Sequence, residues 1–119
     1  MNKKKPTIDD YQKLVEKLLS NPKLSVKYFP PFEMINQAVE ELGEVARELA
    51  HLHGHKKKKD GEKTEGLAAE LGDLMFTIIC MANSHGISLD KALRLKLIKF
   101  DKRDLKRFST VKTKAVKNT

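Results

Sequence analysis

The chain carries one acidic motif twice, and both copies sit in helical phase. Glu41-Leu42-Gly43-Glu44 returns 29 positions later as Glu70-Leu71-Gly72-Asp73. Residues three apart are neighbours on a helix surface, so each copy places a carboxylate pair on one face. Put Glu41 at zero and advance about 100° per residue. The apolar positions Ile35, Ala38, Leu42, Val45, Leu49 and Leu52 then fall between roughly 20° and 120°, with Glu44 and Glu48 at about 300° and 340°. With Glu70 at zero, Leu67, Leu71, Leu74, Ile78 and Met81 span roughly 20° to 100°, and Asp73 falls at about 300°. In both copies a carboxylate edge borders the apolar face on the same side. Two such helices side by side bring four carboxylates together. Four clustered carboxylates repel unless a cation sits between them, and hard divalent cations prefer oxygen ligands.

Four helices are legible and no strand is. The first runs from about Ile8 to Leu19, with Thr7 as cap, Asp10 in its first turn and Ile8, Tyr11, Val15, Leu18 and Leu19 as its apolar positions. Ser20-Asn21-Pro22 ends it. Residues 24–30 are irregular or extended, and Tyr28-Phe29 either join the core or line a pocket. The second helix starts near Pro31, which suits a first turn, and ends near Gly54. The third begins after Thr64 as cap and ends at His85-Gly86. Ser88 caps the fourth, which reaches about Arg107. Short connections between long amphipathic helices predict an all-α, antiparallel four-helix bundle-like fold. We expect one domain over residues 1–108, a lysine loop at about 55–63, and a basic, disordered tail over 109–119.

The net charge of +8 admits nucleic acid as a partner. Its distribution argues against it. Residues 3–5, residues 56–59 and Lys112, Lys114 and Lys117 supply ten positive charges from segments without apolar periodicity. Between Lys27 and Lys56 the sole basic residue is Arg47, against five glutamates; between Lys63 and Lys91 there is none. No window approaches the ~20 apolar residues of a membrane span. The N-terminus lacks the apolar stretch of a signal peptide. Cys80 is the single cysteine and reads as a small buried hydrophobe. A reducing cytoplasm fits.

A glutamate-rich face is often only a wet surface. Such glutamates usually sit near Lys or Arg at i+4, whereas Glu41, Glu44, Glu70 and Asp73 are followed there by Val45, Glu48, Leu74 and Thr77. A glycine inside a helix costs roughly 0.5–1 kcal/mol relative to alanine. Gly43 and Gly72, at one place in both copies, therefore suggest close approach of a helix or ligand. All the candidate ligands are carboxylates; His51, His53 and His55 do not share a helical face and read as solvated. Mg2+, with Mn2+ possible, is the expected ion. On the last helix Lys96, Lys99, Arg103 and Arg107 form a basic edge at spacings of three or four. Facing the acidic edge, it would make a clamp for a polyphosphate; the alternatives are a solvated basic face, or pairing of Arg103 and Arg107 with Asp104 or Asp101.

Glu40-Glu41-Leu42-Gly43-Glu44, 25 intervening residues, then Glu70-Leu71-Gly72-Asp73 resembles the E-E-x-x-E … E-x-x-D signature of the MazG-like nucleotide pyrophosphohydrolases. The resemblance runs from Phe32 to Phe108. It includes Ala46-Arg47-Glu48, Gly54, Ala82-Asn83-Ser84, Lys99-Phe100, Arg103-Asp104 and Arg107, which are similar to the small single-domain branch. It implies the all-α NTP pyrophosphatase fold. It also implies Mg2+-dependent cleavage of a nucleoside triphosphate between the α and β phosphates, giving monophosphate and pyrophosphate. Glu41, Glu44, Glu70 and Asp73 would hold the metal, and Glu40 would support them or orient the attacking water. Relatives form dimers, or tetramers made of dimers, with the site near a subunit interface. One departure stands out: many relatives carry an Asn in the last helix, and this chain has none between Asn83 and Asn118. Asp101 is the available substitute.

The functional expectation is a house-cleaning nucleotide pyrophosphohydrolase. The alternatives are a basic helical nucleic-acid- or protein-binding module and, among enzymes, a phosphoribosyl-ATP pyrophosphohydrolase.

Overall fold

The computed structural model describes residues 4–54 and 57–105, with backbone alone at Asp104 and Leu105. The expected tail and Arg107 lie outside the described residues. Four helices follow in order: α1 (Ile8–Leu19), α2 (Pro31–Leu52), α3 (Leu67–Ser84) and α4 (Leu89–Lys99). There is no strand among the described residues.

Local chemistry explains most of the helix ends. The Thr7 hydroxyl accepts from the Asp10 amide at 3.2 Å while Asp10 Oδ2 accepts from the Thr7 amide at 2.8 Å, a reciprocal capping box. Pro31 opens α2, where its missing N–H is no loss. α3 begins later than the sequence suggests. Gly66, at φ 91°, is its N-cap, and Thr64 lies outside the helix with its hydroxyl buried and unpartnered. Its far end is closed by Gly86 at φ 66°, with the Ile87 amide donating to Ala82 O at 2.9 Å and the Gly86 amide to Asn83 O at 3.2 Å. That paired pattern requires the left-handed glycine. The Ser88 hydroxyl caps α4 by accepting from the Lys91 amide. α4 is α-helical to Lys99 and then widens into a π-helical turn, Phe100–Leu105.

α2 and α3 form the central antiparallel pair. Near one end the Ser84 hydroxyl meets Met34 Sδ at 3.9 Å; nearer the other, Glu41 meets Glu70 and Asp73. α1 packs on α3, and α4 packs on α1. Gln12 ties these together. Its amide donates to Asn83 Oδ1 and Ile87 O and accepts from the Leu89 amide, each at 2.9 Å.

The hydrophobic core is thin: among the described residues, Val15, Met34, Ala38, Val45, Ile79 and Ala82 are the buried apolar ones. The α2 stripe is only half used. Ala38 and Val45 are buried, but Ile35, Leu42, Leu49 and Leu52 are exposed, and Met34 and Glu48 take their place. The buried arc is thus rotated toward the carboxylates, because α3 packs on that edge. Every residue of α4 after Asp90 is exposed, including Leu93, Leu95, Leu97 and Ile98.

α3 also corrects the membrane expectation. Its 18 residues reach a mean hydropathy of 1.2, long and apolar enough to cross a bilayer by that measure alone. Glu70 and Asp73 in its first turns, and its packing on α2, give it instead the place of a core helix.

Candidate active site

Carboxylate oxygens of Glu41, Glu70 and Asp73 all lie within 4.8 Å of one another. Glu41 comes from the middle of α2; Glu70 and Asp73 come from successive turns of α3. The antiparallel pairing closes the two acidic edges on each other. Glu70 is buried, Glu41 half-buried and Asp73 exposed, so the group opens to solvent on one side. Burial, followed by the negative charges of Glu44, Asp73, Glu65 and Glu41, holds the Glu70 carboxyl above its ordinary pKa. The donor set is all oxygen, anionic and convergent, which suits a hard divalent cation. The Gln37 amide donates to Glu41 Oε1 at 2.7 Å and fixes that carboxylate.

The other expected site residues are placed differently. Glu44 stands close enough to bear on Glu70 but is ion-paired to Arg47, three residues on. The reading that no local cation compensates it is therefore wrong, because an i+3 partner serves as well as one at i+4. Glu40 is exposed and outside the convergent group. A Cβ added at Gly43 or Gly72 would meet nothing within 4 Å, so neither glycine admits a neighbouring helix of this chain. Lys96, Lys99 and Arg103 lie on α4 and its π-helical extension. α4 packs on α1, and Lys96, Lys99 and Arg103 are exposed.

Three features escaped the sequence reading. Glu48 is 2% exposed and has an unpartnered oxygen. His51, expected in solvent, has both ring nitrogens buried and unpartnered. Helical phase carries the signal for both, since they follow Glu41 by two and nearly three turns. The third is a cleft of about 480 Å³ that shares Glu41 and Asp73 with the carboxylate group. Its apolar lining includes Leu24, Val26 and Phe29 from the connection before α2 and Phe76 from α3, with Gln37 and Thr77 among its polar lining. Tyr28 lines it too, which settles that residue as pocket rather than core. Cys80 also lines it, half-buried, and burial pushes its thiol pKa up, the opposite of an activated nucleophile.

The chain's likeness to known proteins coincides with this geometry. Residues 29–108 match the family model of the MazG nucleotide pyrophosphohydrolase domain, a span that contains all of α2, α3 and α4. YpjD, an uncharacterised protein of Bacillus subtilis (strain 168), is 39% identical over 103 residues, covering 87% of this chain and 91% of YpjD. The crystal structure of Bacillus subtilis YpjD superimposes with a TM-score of 0.72 at 38% identity, over 82% of this chain and 98% of that one. The Bacillus-conserved MazG protein, a nucleotide pyrophosphohydrolase, gives a TM-score of 0.69 at 35% identity, over 82% and 93%. On this combined ground the chain belongs to the MazG nucleotide pyrophosphohydrolase family.

Proposed function

We propose that this protein is a Mg2+-dependent nucleoside triphosphate pyrophosphohydrolase, converting an NTP or dNTP and water to monophosphate and pyrophosphate. The observation that carries the reading is the meeting of Glu41, Glu70 and Asp73 across two helices. Glu41, Glu70 and Asp73 would hold the ion, with Glu44 beside them. Bound there, Mg2+ supplies charge neutralisation of phosphate oxygens and a lowered pKa for water. Mn2+ satisfies the same donors.

The chain's own groups have separable tasks. Gln37 keeps Glu41 turned toward the group. Arg47 holds Glu44 and leaves the other carboxylates uncompensated. Glu40, exposed beside Glu41, orients the attacking water. The cleft that begins at Glu41 and Asp73 is of a size for a small molecule and mostly apolar, and it takes the nucleoside.

The basic edge of Lys96, Lys99, Arg103 and Arg107 steadies the departing pyrophosphate from a second copy. An 11-residue helix without a buried residue is marginal alone in water. Its exposed leucines fit an assembly of two copies, or four as a dimer of dimers. A cytoplasmic role in clearing unwanted nucleotides follows from such chemistry.

The test is Mg2+-dependent pyrophosphate release across a panel of nucleoside triphosphates. Glu41→Gln and Asp73→Asn should nearly abolish turnover while the helical fold survives. A mutant with full Mg2+-dependent release defeats the assignment. Steeply salt-dependent nucleic-acid binding that ignores the carboxylates would favour a binding module instead.

A further inference from the structure

The cleft wall built by residues 24–29 has little backbone of its own to hold it. Among the described residues, the backbone bonds of this connection lie near its start, such as Leu24 amide to Asn21 O at 3.0 Å. Past Leu24 the tethers are side chains. The Tyr28 hydroxyl donates to a Glu16 carboxylate oxygen and accepts from Asn83 Nδ2 at 3.1 Å. The Lys27 ammonium pairs with the same Glu16 carboxylate. Asn83 Nδ2 also donates to Gln12 O at 2.9 Å, and Asn83 Oδ1 accepts from the Gln12 amide at 2.9 Å. Gln12 is 7% exposed and its side chain makes three hydrogen bonds.

We propose that this clasp, centred on the Tyr28 hydroxyl and Asn83, positions the nucleoside wall of the cleft and thereby sets nucleotide affinity without entering the bond-breaking step. The inference rests on reading the cleft as the nucleoside's seat. Asn83 stands ten residues beyond Asp73 on α3, about 15 Å along the helix axis, too far to touch a reacting phosphate. Yet it is on α3, the helix that contributes Phe76 to the cleft lining. A bond from Asn83 to Tyr28 therefore ties the connection that carries Phe29 to the helix that carries Phe76. Burial, and then the Glu16 hydrogen bond, push the Tyr28 pKa up to about 12, so the hydroxyl keeps its proton at neutral pH. The Tyr28 hydroxyl proton and both Asn83 amide protons are taken up within the protein, so these two groups donate no hydrogen bond to the ligand. Its effect on the ligand is through the shape of the wall.

A group that acts this way binds ground state and transition state alike, so its loss appears in KM and not in kcat. Asn83→Ala and Tyr28→Phe in the full chain should each raise KM for a nucleoside triphosphate about five- to tenfold, with kcat within about twofold. The double variant should cost less than the product of the two, since both break one bond. Inhibition by a nucleoside monophosphate should weaken by the same factor, while inhibition by inorganic pyrophosphate stays as in the wild type. Unchanged KM in a folded variant, a fall in kcat at constant KM, or equal weakening of both inhibitors overturns the proposal. If either variant fails to fold, Glu16→Gln, at a half-exposed position, gives the same readout. Direct binding of a fluorescent nucleoside monophosphate separates this inference from the one beneath it. A wild type that releases no pyrophosphate sinks the proposed function. Monophosphate binding that Tyr28→Phe leaves unaltered, or that the wild type lacks, sinks the clasp.

Discussion

Glu70→Gln should make the metal-free protein more stable and the metal-bound protein less so. Glu70, Glu41 and Asp73 make three mutual like-charge contacts within 4.8 Å. The amide is nearly the same shape as the carboxylate, so the substitution leaves one such contact and opens no cavity. Glu70 is the buried member, and its raised pKa reflects both burial and its negative neighbours. A folded-state pKa above the unfolded value means that ionising this group as pH rises works against folding. Removing it should therefore raise the metal-free Tm at neutral pH. An ion at 100 times its Kd stabilises by about 2.7 kcal/mol. For a domain of 119 residues that is roughly 10 °C in Tm. The assay is differential scanning calorimetry with and without Mg2+ or Mn2+. The wild type should show most of that gain; Glu70→Gln should start higher and gain little at the same metal concentration. A variant that starts lower, or keeps the wild-type gain, refutes the reasoning that these three carboxylates are strained without a cation and form its site.

Two more outcomes test other parts of the structure. Leu97→Glu, on the exposed face of α4, should shift the sedimenting species toward monomer and slow turnover with it; an unchanged sedimentation coefficient would detach α4 from any assembly role. The Lys27 ammonium, and next the Tyr28 hydroxyl, hold Glu16 below its ordinary pKa of 4.5. Its contribution is complete above that value and is lost as pH falls through the lower folded-state pKa. Acid unfolding followed by circular dichroism should show a stability loss below about pH 4.5 that Glu16→Gln flattens; parallel curves would show that the Glu16 charge does not stabilise the fold.

Helix ends were legible where a side chain reports them. Thr7 with Asp10, Pro31, Gly86 and Ser88 mark boundaries within a residue or two. Thr64 did not, because Gly66 starts α3 without a side-chain cap. The doubled acidic motif correctly brings Glu41 to Glu70 and Asp73, since helical phase fixes which edge each acid occupies. Periodicity was less able to say which apolar residues are buried. It treats Leu42 and Val45 alike, whereas α3 covers only the edge nearer the acids. Of the cleft only Tyr28-Phe29 could be named as candidate lining, beside the alternative that they join the core. Its wall depends on Tyr28 meeting Asn83, 55 residues away, and no local pattern encodes a contact of that range. The Lys96–Lys99–Arg103 edge was legible as a stripe, and all three side chains are exposed.

The sparse interior has a consequence for how the protein behaves as its amount varies. Few large side chains leave water when one chain folds, and among the described residues none is completely enclosed. If self-association supplies the rest, protein concentration becomes a term in the folding equilibrium. Melting midpoints would then climb with each tenfold increase in loading. Dilution alone would act as a mild denaturant.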